Sequence, residues 1–370
     1  ILSLPLELRE QIYKEVLANP SQGPGLLIAC HDIYNEAHKF LFQRPLSFRN
    51  QSALWEWLMK VPGKHLHYVT EVTLGLEDVN LSPLLTIPIK PHGDSKPRLL
   101  TWELYEQELE KLYRVLKKLP HLKTLTIKAL PDCQSFLYHG FLTTFLGHLG
   151  SLFPSLWHLT LRGNFHHQTL SFLTPLEELR YLSFDGFSST PPTKTAEILS
   201  SLHQLTDLSL ASLHALLTPA DYVHRSFTSS HQSFTADVLQ SINALTSFHI
   251  TENIQPASPT GLYFTPQILS SLHFAHNTTL IRLSIRLLHT PDVEPLEALQ
   301  EFLQGSSIQK LELDWPDFDP EDLDDLLPGA LKELWVRTWS KEKAFDVLWQ
   351  LIKSREAGGL YELRRVVLVR

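Results

Sequence analysis

The chain reads LWHLTL at residues 156–161, LRYLSF at 179–184 and LTDLSL at 205–210. Each of these six-residue units is apolar at its first, fourth and sixth positions. Side chains alternate between the two faces of a β-strand, so the fourth and sixth residues share a core and the fifth points away from it. The unit recurs as VTEVTL (69–74), LKTLTI (122–127), LTSFHI (245–250), LIRLSI (280–285), IQKLEL (308–313), LKELWV (331–336) and LRRVVL (363–368).

The segments between these units have helical spacing. In residues 105–119, Leu109, Leu112, Leu116 and Leu119 form an apolar stripe at steps of three or four. Similar amphipathic segments lie at 141–149, 196–205, 236–245, 266–274, 295–303, 321–327 and 343–352. Unit starts are 23 to 53 residues apart, so the sequence predicts an irregular α/β solenoid with a parallel inner sheet and outer helices.

The repeated unit resembles the leucine-rich repeat, whose pattern is L-x-x-L-x-L-x-x-N/C. The resemblance covers residues 66 to 370 and about ten repeats. An asparagine stands at the ninth position only at Asn164 and Asn253, which favours the long-repeat intracellular type over the secreted type. The alternative is an ordinary α/β domain with a parallel sheet, although such sheets rarely carry this apolar pattern ten times.

The first 42 residues contain no such unit and instead have two amphipathic helical stretches, at 3–17 and 26–42. They resemble an F-box, in particular the F-box-like proteins of filamentous fungi. The residues that match the family pattern are Leu4, Pro5, Glu7, Leu8, Ile12 and Tyr13, with Ile28, Ala29 and Cys30 further on. We therefore divide the chain into an F-box-like helical module at 1–42 and a leucine-rich-repeat solenoid at 43–370.

The F-box resemblance implies a substrate receptor of a cullin–RING ubiquitin ligase. In such a receptor Leu4, Pro5, Leu8, Ile12 and Tyr13 would bind the Skp-type adaptor while the repeats hold a protein target. The alternative is a non-catalytic interaction scaffold, in which the N-terminal helices only cap the open end of the solenoid. The two differ in whether the apolar residues of the first helix are exposed or buried against the first repeat.

A target would contact the concave face of the solenoid, through the third, fifth and seventh positions of each unit. Exposed tryptophan and arginine are common binding anchors, which favours the C-terminal repeats around Trp335. The equally weighted alternative is that these charged residues bind no target and pair only with one another across adjacent strands. The candidate target-binding residues are His158, Arg162, Tyr181, Arg282, Arg286, Lys310, Glu312, Trp335 and Arg337.

Long insertions rich in Ser, Thr, Pro and His follow several of the predicted strands. They lie at 75–101, 185–195, 211–234 and 251–264. Loops on a rigid scaffold often carry binding specificity, so these segments are further candidates for target contacts, although disorder or drift also explains them.

Composition argues against several other functions. A net charge of −8 does not favour binding to nucleic acid or to an anionic membrane. Cys30 and Cys133 are the only cysteines, so we expect a reducing compartment, either cytoplasm or nucleus.

Catalytic motifs are also missing from the sequence. His65 with His67, the pair His166 and His167, and the acidic run 317–325 lack the spacing of known metal sites. There is no nucleophile elbow, phosphate-binding glycine loop or dinucleotide fingerprint. We expect no catalytic residues, no metal and no cofactor, and the sequence leaves the oligomeric state open.

Overall fold

A computed structural model describes residues 1–18, 23–81, 100–131, 135–186, 188–213, 233–253, 262–316, 318–338, 340–358 and 360–369. The chain forms two compact units, Ile1–Leu159 and Thr160–Arg370. The predicted boundary between an N-terminal module and the repeats, at residue 42, lies within the first unit and stays a prediction.

Three helices open the first unit, namely α1 (Leu6–Ala18), α2 (Gly23–Leu27) and α3 (His31–Gln43). Helices α1 and α3 enclose a small core of their own. This core consists of Tyr13, Leu17, Ile33, Ala37 and Phe40, with Leu26 and Leu27 packed against it. The three helices therefore have hydrophobic contacts independent of the repeats.

The rest of the first unit alternates between strands and helices. Its strands are β1 (Leu46–Phe48), β2 (Glu71–Gly75) and β3 (Thr124–Lys128), and the unit ends within β4 (His158–Arg162). Its helices are α4 (Gln51–Lys60), α5 (Gly63–Leu66), α6 (Leu100–Leu116), α7 (Phe136–Gly147) and α8 (Leu149–Leu152). Strands β1, β2 and β3 pair in parallel in that order.

The second unit continues this pattern with seven strands. They are β5 (Tyr181–Asp185), β6 (Asp207–Ser212), β7 (Ser247–Glu252), β8 (Arg282–Leu287), β9 (Lys310–Asp314), β10 (Glu333–Arg337) and β11 (Arg365–Val369). The helices are α9 (Pro192–Ser201), α10 (Ala236–Ser241), α11 (Pro266–His276), α12 (Val293–Gln304) and α13 (Lys341–Glu356). All neighbouring strands pair in parallel and in chain order, so the predicted α/β class with a parallel sheet and outer helices is confirmed.

The interior of each repeat follows the six-residue unit. Leu208 and Leu210, at the fourth and sixth positions of one unit, are fully buried. They pair in register with Phe248 and Ile250 of the next strand, which are also fully buried. Each strand thus adds one apolar layer to the core, and its remaining positions lie on the opposite face.

One predicted helix has a different form. The amphipathic spacing of residues 321–327 predicts an α-helix, but Pro320–Leu326 is a 3-10 helix. Asp319 caps it by accepting a hydrogen bond from the backbone N–H of Glu321, and Pro328 follows the last turn. Pro320 at its first position and Pro328 after its end both lack a backbone N–H and so bound the segment on each side.

Most of three predicted insertions falls outside the described residues. This applies to 82–99, 214–232 and 254–261. Both ends of the insertion at 251–264 are described. There the buried carboxylate of Glu252 accepts hydrogen bonds from the backbone N–H groups of Tyr263 and Phe264. The hydroxyl of Tyr263 donates to the carbonyl of Gly186 at 2.8 Å, which fixes this segment against the loop after β5.

Candidate interaction surfaces

The beginning of the first unit presents a group of exposed leucines. Leu2, Leu4, Leu6 and Leu8, which we call the N-terminal apolar surface, are 37% to 49% exposed. Pro5 lies among them and is also exposed. Several exposed leucines at the start of a small helical module are typical of a protein-binding surface.

Arg9 holds this segment in place. Its Nη1 donates to the backbone carbonyls of Leu2 at 3.2 Å and Leu4 at 2.5 Å. Its Nε and Nη2 donate to the carboxylate of Glu36 on α3 at 2.9 and 2.6 Å. This bidentate pair lowers the pKa of the Glu36 carboxyl and attaches the N-terminal turn to the helical core, so the leucine side chains are left facing outward.

The remaining two predicted adaptor-binding residues lie elsewhere. Ile12 is only partly exposed. Tyr13 is fully buried and its hydroxyl donates to Glu36 at 3.0 Å. Tyr13 therefore belongs to the core of the helical module and is not accessible to an adaptor.

Contacts between the helical module and the following residues are made by α3. The ring of Phe42 stacks on that of His65 with centroids 4.8 Å apart and lies 6.5 Å from Trp57. His38 also packs edge-on against His65 at 5.1 Å. Burial lowers the pKa of His65, which favours the neutral form of this ring.

A second surface lies on the open face of β7 to β11, in the second unit. It contains a pocket of about 380 Å³ lined by His249, Arg282, Leu283, Arg286, Lys310, Leu311, Glu312, Glu333, Trp335 and Arg365. We call it the β7–β11 pocket. Most of its polar residues occupy the third and fifth positions of their units, which the parallel register places side by side.

Two rows of side chains form this pocket. Arg282, Lys310, Glu333 and Arg365 follow one another across the third positions of β8 to β11. The fifth positions of β7, β9 and β10 contribute His249, Glu312 and Trp335, respectively. The repeated unit thus brings five charged side chains together with the rings of His249 and Trp335.

Several of these charges neutralise one another across adjacent strands. Glu312 binds Arg286 at 2.5 Å and also accepts from the hydroxyl of Ser284 at 2.9 Å. Lys310 lies 3.1 Å from Glu333. The alternative that these charged residues pair with one another across adjacent strands is therefore correct for part of this surface.

Two arginines remain without a carboxylate partner in the described part of the chain. Arg282 is exposed, and no described Asp or Glu oxygen lies within ion-pair distance of it. Arg365 places its guanidinium 5.5 Å from the ring centroid of Trp335. Since these two cations are additional to the paired ones, the pocket has an excess of positive charge.

His249 adds no charge to the pocket at neutral pH. Burial, followed by the nearby Arg282, lowers its pKa below the ordinary value of 6.5. Its Nε2 lies 2.8 Å from the hydroxyl of Ser247. His249 therefore contributes a neutral ring beside the cations.

The other predicted target-binding residues do not line this pocket. His158 and Arg162 lie at the two ends of β4, and Tyr181 begins β5. Arg337, at the end of β10, binds Asp314 at 3.2 Å. Burial raises the pKa of Asp314, while Arg337 and Arg286 oppose that rise.

Sequence reasoning missed Arg365, Leu2 and Leu6. Arg365 is the third residue of the last unit, LRRVVL, so the rule that selected Lys310 also selects it. Leu2 and Leu6 lie outside the F-box pattern, and their exposure depends on how Arg9 folds the N-terminal turn.

Among the described residues, no group of three or more His, Cys, Asp or Glu side chains is placed so as to hold a metal ion. No described helix combines the length and apolar character that a membrane-spanning helix needs.

No family model matches the sequence, and no curated protein matches it. Among solved structures, the chain is similar to one described as the complex of Rad7 and Elc1 in yeast. The TM-score is 0.44 and the sequence identity is 12%, over 98% of this chain and 81% of that one.

Proposed function

We propose that this protein is a non-enzymatic substrate receptor of a cullin–RING ubiquitin ligase. Its N-terminal helices bind a Skp-type adaptor, and its repeats bind a protein target. The observation that carries the proposal is the N-terminal apolar surface: residues that match the F-box pattern, Leu4, Pro5 and Leu8, are exposed on a helical module with its own core. Such a receptor would act in the cytoplasm or the nucleus.

Exposure of these residues supports the receptor over the capped scaffold. A cap would bury its apolar residues against the first repeat. Instead the module contacts the following residues through Phe42 and His38 of α3, and the leucines before and within the first turns of α1 are accessible.

The test is a pull-down of the purified chain with a purified Skp-type adaptor. We expect the Leu4→Asp, Leu8→Asp double variant to bind the adaptor at least tenfold more weakly, because two carboxylates would have to be desolvated at an apolar interface. Both side chains are exposed, so the fold should be unchanged by circular dichroism.

Met59→Asp is the matched control. Met59 is 65% exposed on α4, outside the N-terminal apolar surface, so this variant should bind the adaptor as the parent does. If the parent chain binds no adaptor, the receptor proposal is wrong and the scaffold alternative replaces it.

A further inference from the structure

We propose that the β7–β11 pocket binds an extended acidic segment of the target protein. In this arrangement two carboxylates of the segment contact Arg282 and Arg365, and an apolar side chain between them packs on Trp335. The inference rests on the proposed function in that it names the chemistry of the target, but it is tested without the adaptor.

Charge complementarity is the first argument. Four basic and two acidic side chains line the pocket, whereas the chain as a whole carries a net charge of −8. The two acids, Glu312 and Glu333, are already bound to Arg286 and Lys310. An incoming anion would therefore meet the two remaining arginines and no free carboxylate in the pocket lining.

Geometry gives the spacing of the two anionic groups. Arg282 and Arg365 occupy the same register position on β8 and β11, three strands apart. Adjacent strands are about 4.8 Å apart, so the two backbones are separated by about 14 Å. An extended peptide advances about 3.5 Å per residue, so acidic residues about four positions apart match this distance when the peptide crosses the strands.

Trp335 gives the site its apolar part. It lies between the two arginines in strand order, on β10, and is partly exposed. The guanidinium of Arg365 lies over its ring, and this contact orients both side chains before any ligand arrives. Trp and Arg are among the residue types that contribute most to binding at protein interfaces. Side chains that are already oriented lose less entropy when a partner binds.

The pocket has the size of a peptide subsite. A volume of about 380 Å³ lies at the lower end of the range for ligand sites. It accommodates a few side chains of an extended segment, while the rest of the target would extend beyond it.

The first experiment is selection from a random eight-residue peptide library displayed on phage, with the purified full chain as bait. We expect the selected peptides to carry two Asp or Glu residues three to five positions apart, with an apolar residue between them. The same selection with Arg282→Ala, Arg365→Ala as bait should lose this preference. Either no selection by the parent, or the same acidic preference in the double variant, would overturn the inference.

The second experiment measures binding of a selected peptide by fluorescence anisotropy. The double variant should bind at least tenfold more weakly, because each lost arginine removes a charge-assisted contact. Trp335→Ala should also weaken binding without changing its dependence on salt. Arg355→Ala, which removes another exposed charge at the end of α13, is the control and should bind as the parent does.

Peptide analogues identify the anion. Replacing both acids by glutamine should reduce the affinity at least tenfold, and raising the salt concentration should weaken binding by the parent. A gain of more than tenfold with phosphoserine at the same positions would replace carboxylate by phosphate as the ligand. Displacement of the peptide by a single-stranded oligonucleotide at equal concentration would contradict the assignment to a protein segment.

Discussion

Arg9 shows how one side chain determines the accessibility of several others. It binds two carbonyls of the N-terminal turn and both carboxylate oxygens of Glu36. The turn thereby satisfies backbone groups that would otherwise need water or a helix partner. Leu2 and Leu4 are left with no place in the core of α1 and α3, so their exposure follows from polar contacts and not from their hydrophobicity.

His276 is a buried titratable residue of the second unit. It is buried in α11, its Nδ1 accepts from the backbone N–H of Leu245, and its Nε2 donates to the carbonyl of Leu239 at 2.9 Å. Burial lowers its pKa below 6.5. The folded protein therefore holds the neutral ring, with the proton on Nε2.

This lowered pKa predicts a loss of stability in mild acid. The unfolded chain binds a proton at His276 more readily than the folded chain does, so the free energy of unfolding falls as pH decreases below 6.5. We expect this decrease between pH 7.5 and 5.5 in urea titrations, and a shallower decrease in His276→Leu.

The His276→Leu variant also has a cost of its own. It leaves the N–H of Leu245 without its acceptor and removes one of the two hydrogen bonds to the carbonyl of Leu239, which also accepts from the N–H of Ile242. We expect this to lower stability at pH 7.5 by about 1–3 kcal/mol. The exposed His121→Leu is the matched control for the pH slope. An equal slope in the parent and in His276→Leu would show that His276 does not control it.

At the scale of elements, the loop after β5 depends on one glycine. Gly186 has φ +138, and a Cβ there would lie 2.9 Å from the carbonyl carbon of Phe165 and 3.0 Å from the nitrogen of His166. Its N–H donates to the carbonyl of Ala211. The close approach of two backbone segments therefore requires a residue without a side chain.

We predict that Gly186→Ala lowers the free energy of unfolding by about 1–3 kcal/mol, through strain at this φ and the clash with Phe165. Thermal and urea unfolding measure the change. Gly147→Ala, at the end of α7 where a Cβ meets nothing within 4 Å, should be neutral or slightly stabilising. Equal stability of Gly186→Ala and the parent would contradict the steric argument.

The elements also show where sequence patterns suffice and where they do not. The amphipathic stripe in 105–119 predicted a helix, and α6 spans Leu100–Leu116. The apolar residues of 321–327 predicted one as well, yet that segment is a 3-10 helix. Leu323 and Leu326 are fully buried in the 3-10 helix, and an α-helix with the same apolar face would also bury them. Periodicity alone therefore could not distinguish the two helix types.

At the scale of the whole molecule, repeats are stabilised by their neighbours on either side. In the second unit, β5 to β10 bury their fourth and sixth positions almost completely. The corresponding residues of β11, Val366 and Leu368, are only partly buried. Within the described residues, β11 pairs with β10 and ends the strand order.

We therefore predict that β11 exchanges its amide hydrogens faster than β8 and β9 do. Fewer buried apolar contacts make local opening easier, so the last strand of a repeat array opens before the interior strands do. Hydrogen–deuterium exchange followed by mass spectrometry on the full chain measures this difference. Protection of 365–369 equal to that of 310–314 would mean that further contacts hold the last strand.

Charge is distributed unevenly over the molecule. The chain carries −8 in total, yet the β7–β11 pocket has an excess of bases. The sequence placed Arg282, Arg286, Lys310 and Trp335 on one face because they occupy the third, fifth or seventh positions of their units. It could not show which of them are neutralised, because ion pairing depends on side-chain conformations across strands.

The sequence by itself determined the parallel α/β architecture, the residues of the core and the order of side chains across the open face. It could do so because the strand period of two and the helix period near 3.6 relate sequence position directly to burial. Only the tertiary structure decided that Tyr13 is buried while Leu2 and Leu6 are exposed, and that no carboxylate among the described residues pairs with Arg282 or Arg365. Those outcomes depend on hydrogen bonds and ion pairs between residues far apart in the chain, such as Arg9 with Glu36 and Lys310 with Glu333, which no local pattern encodes.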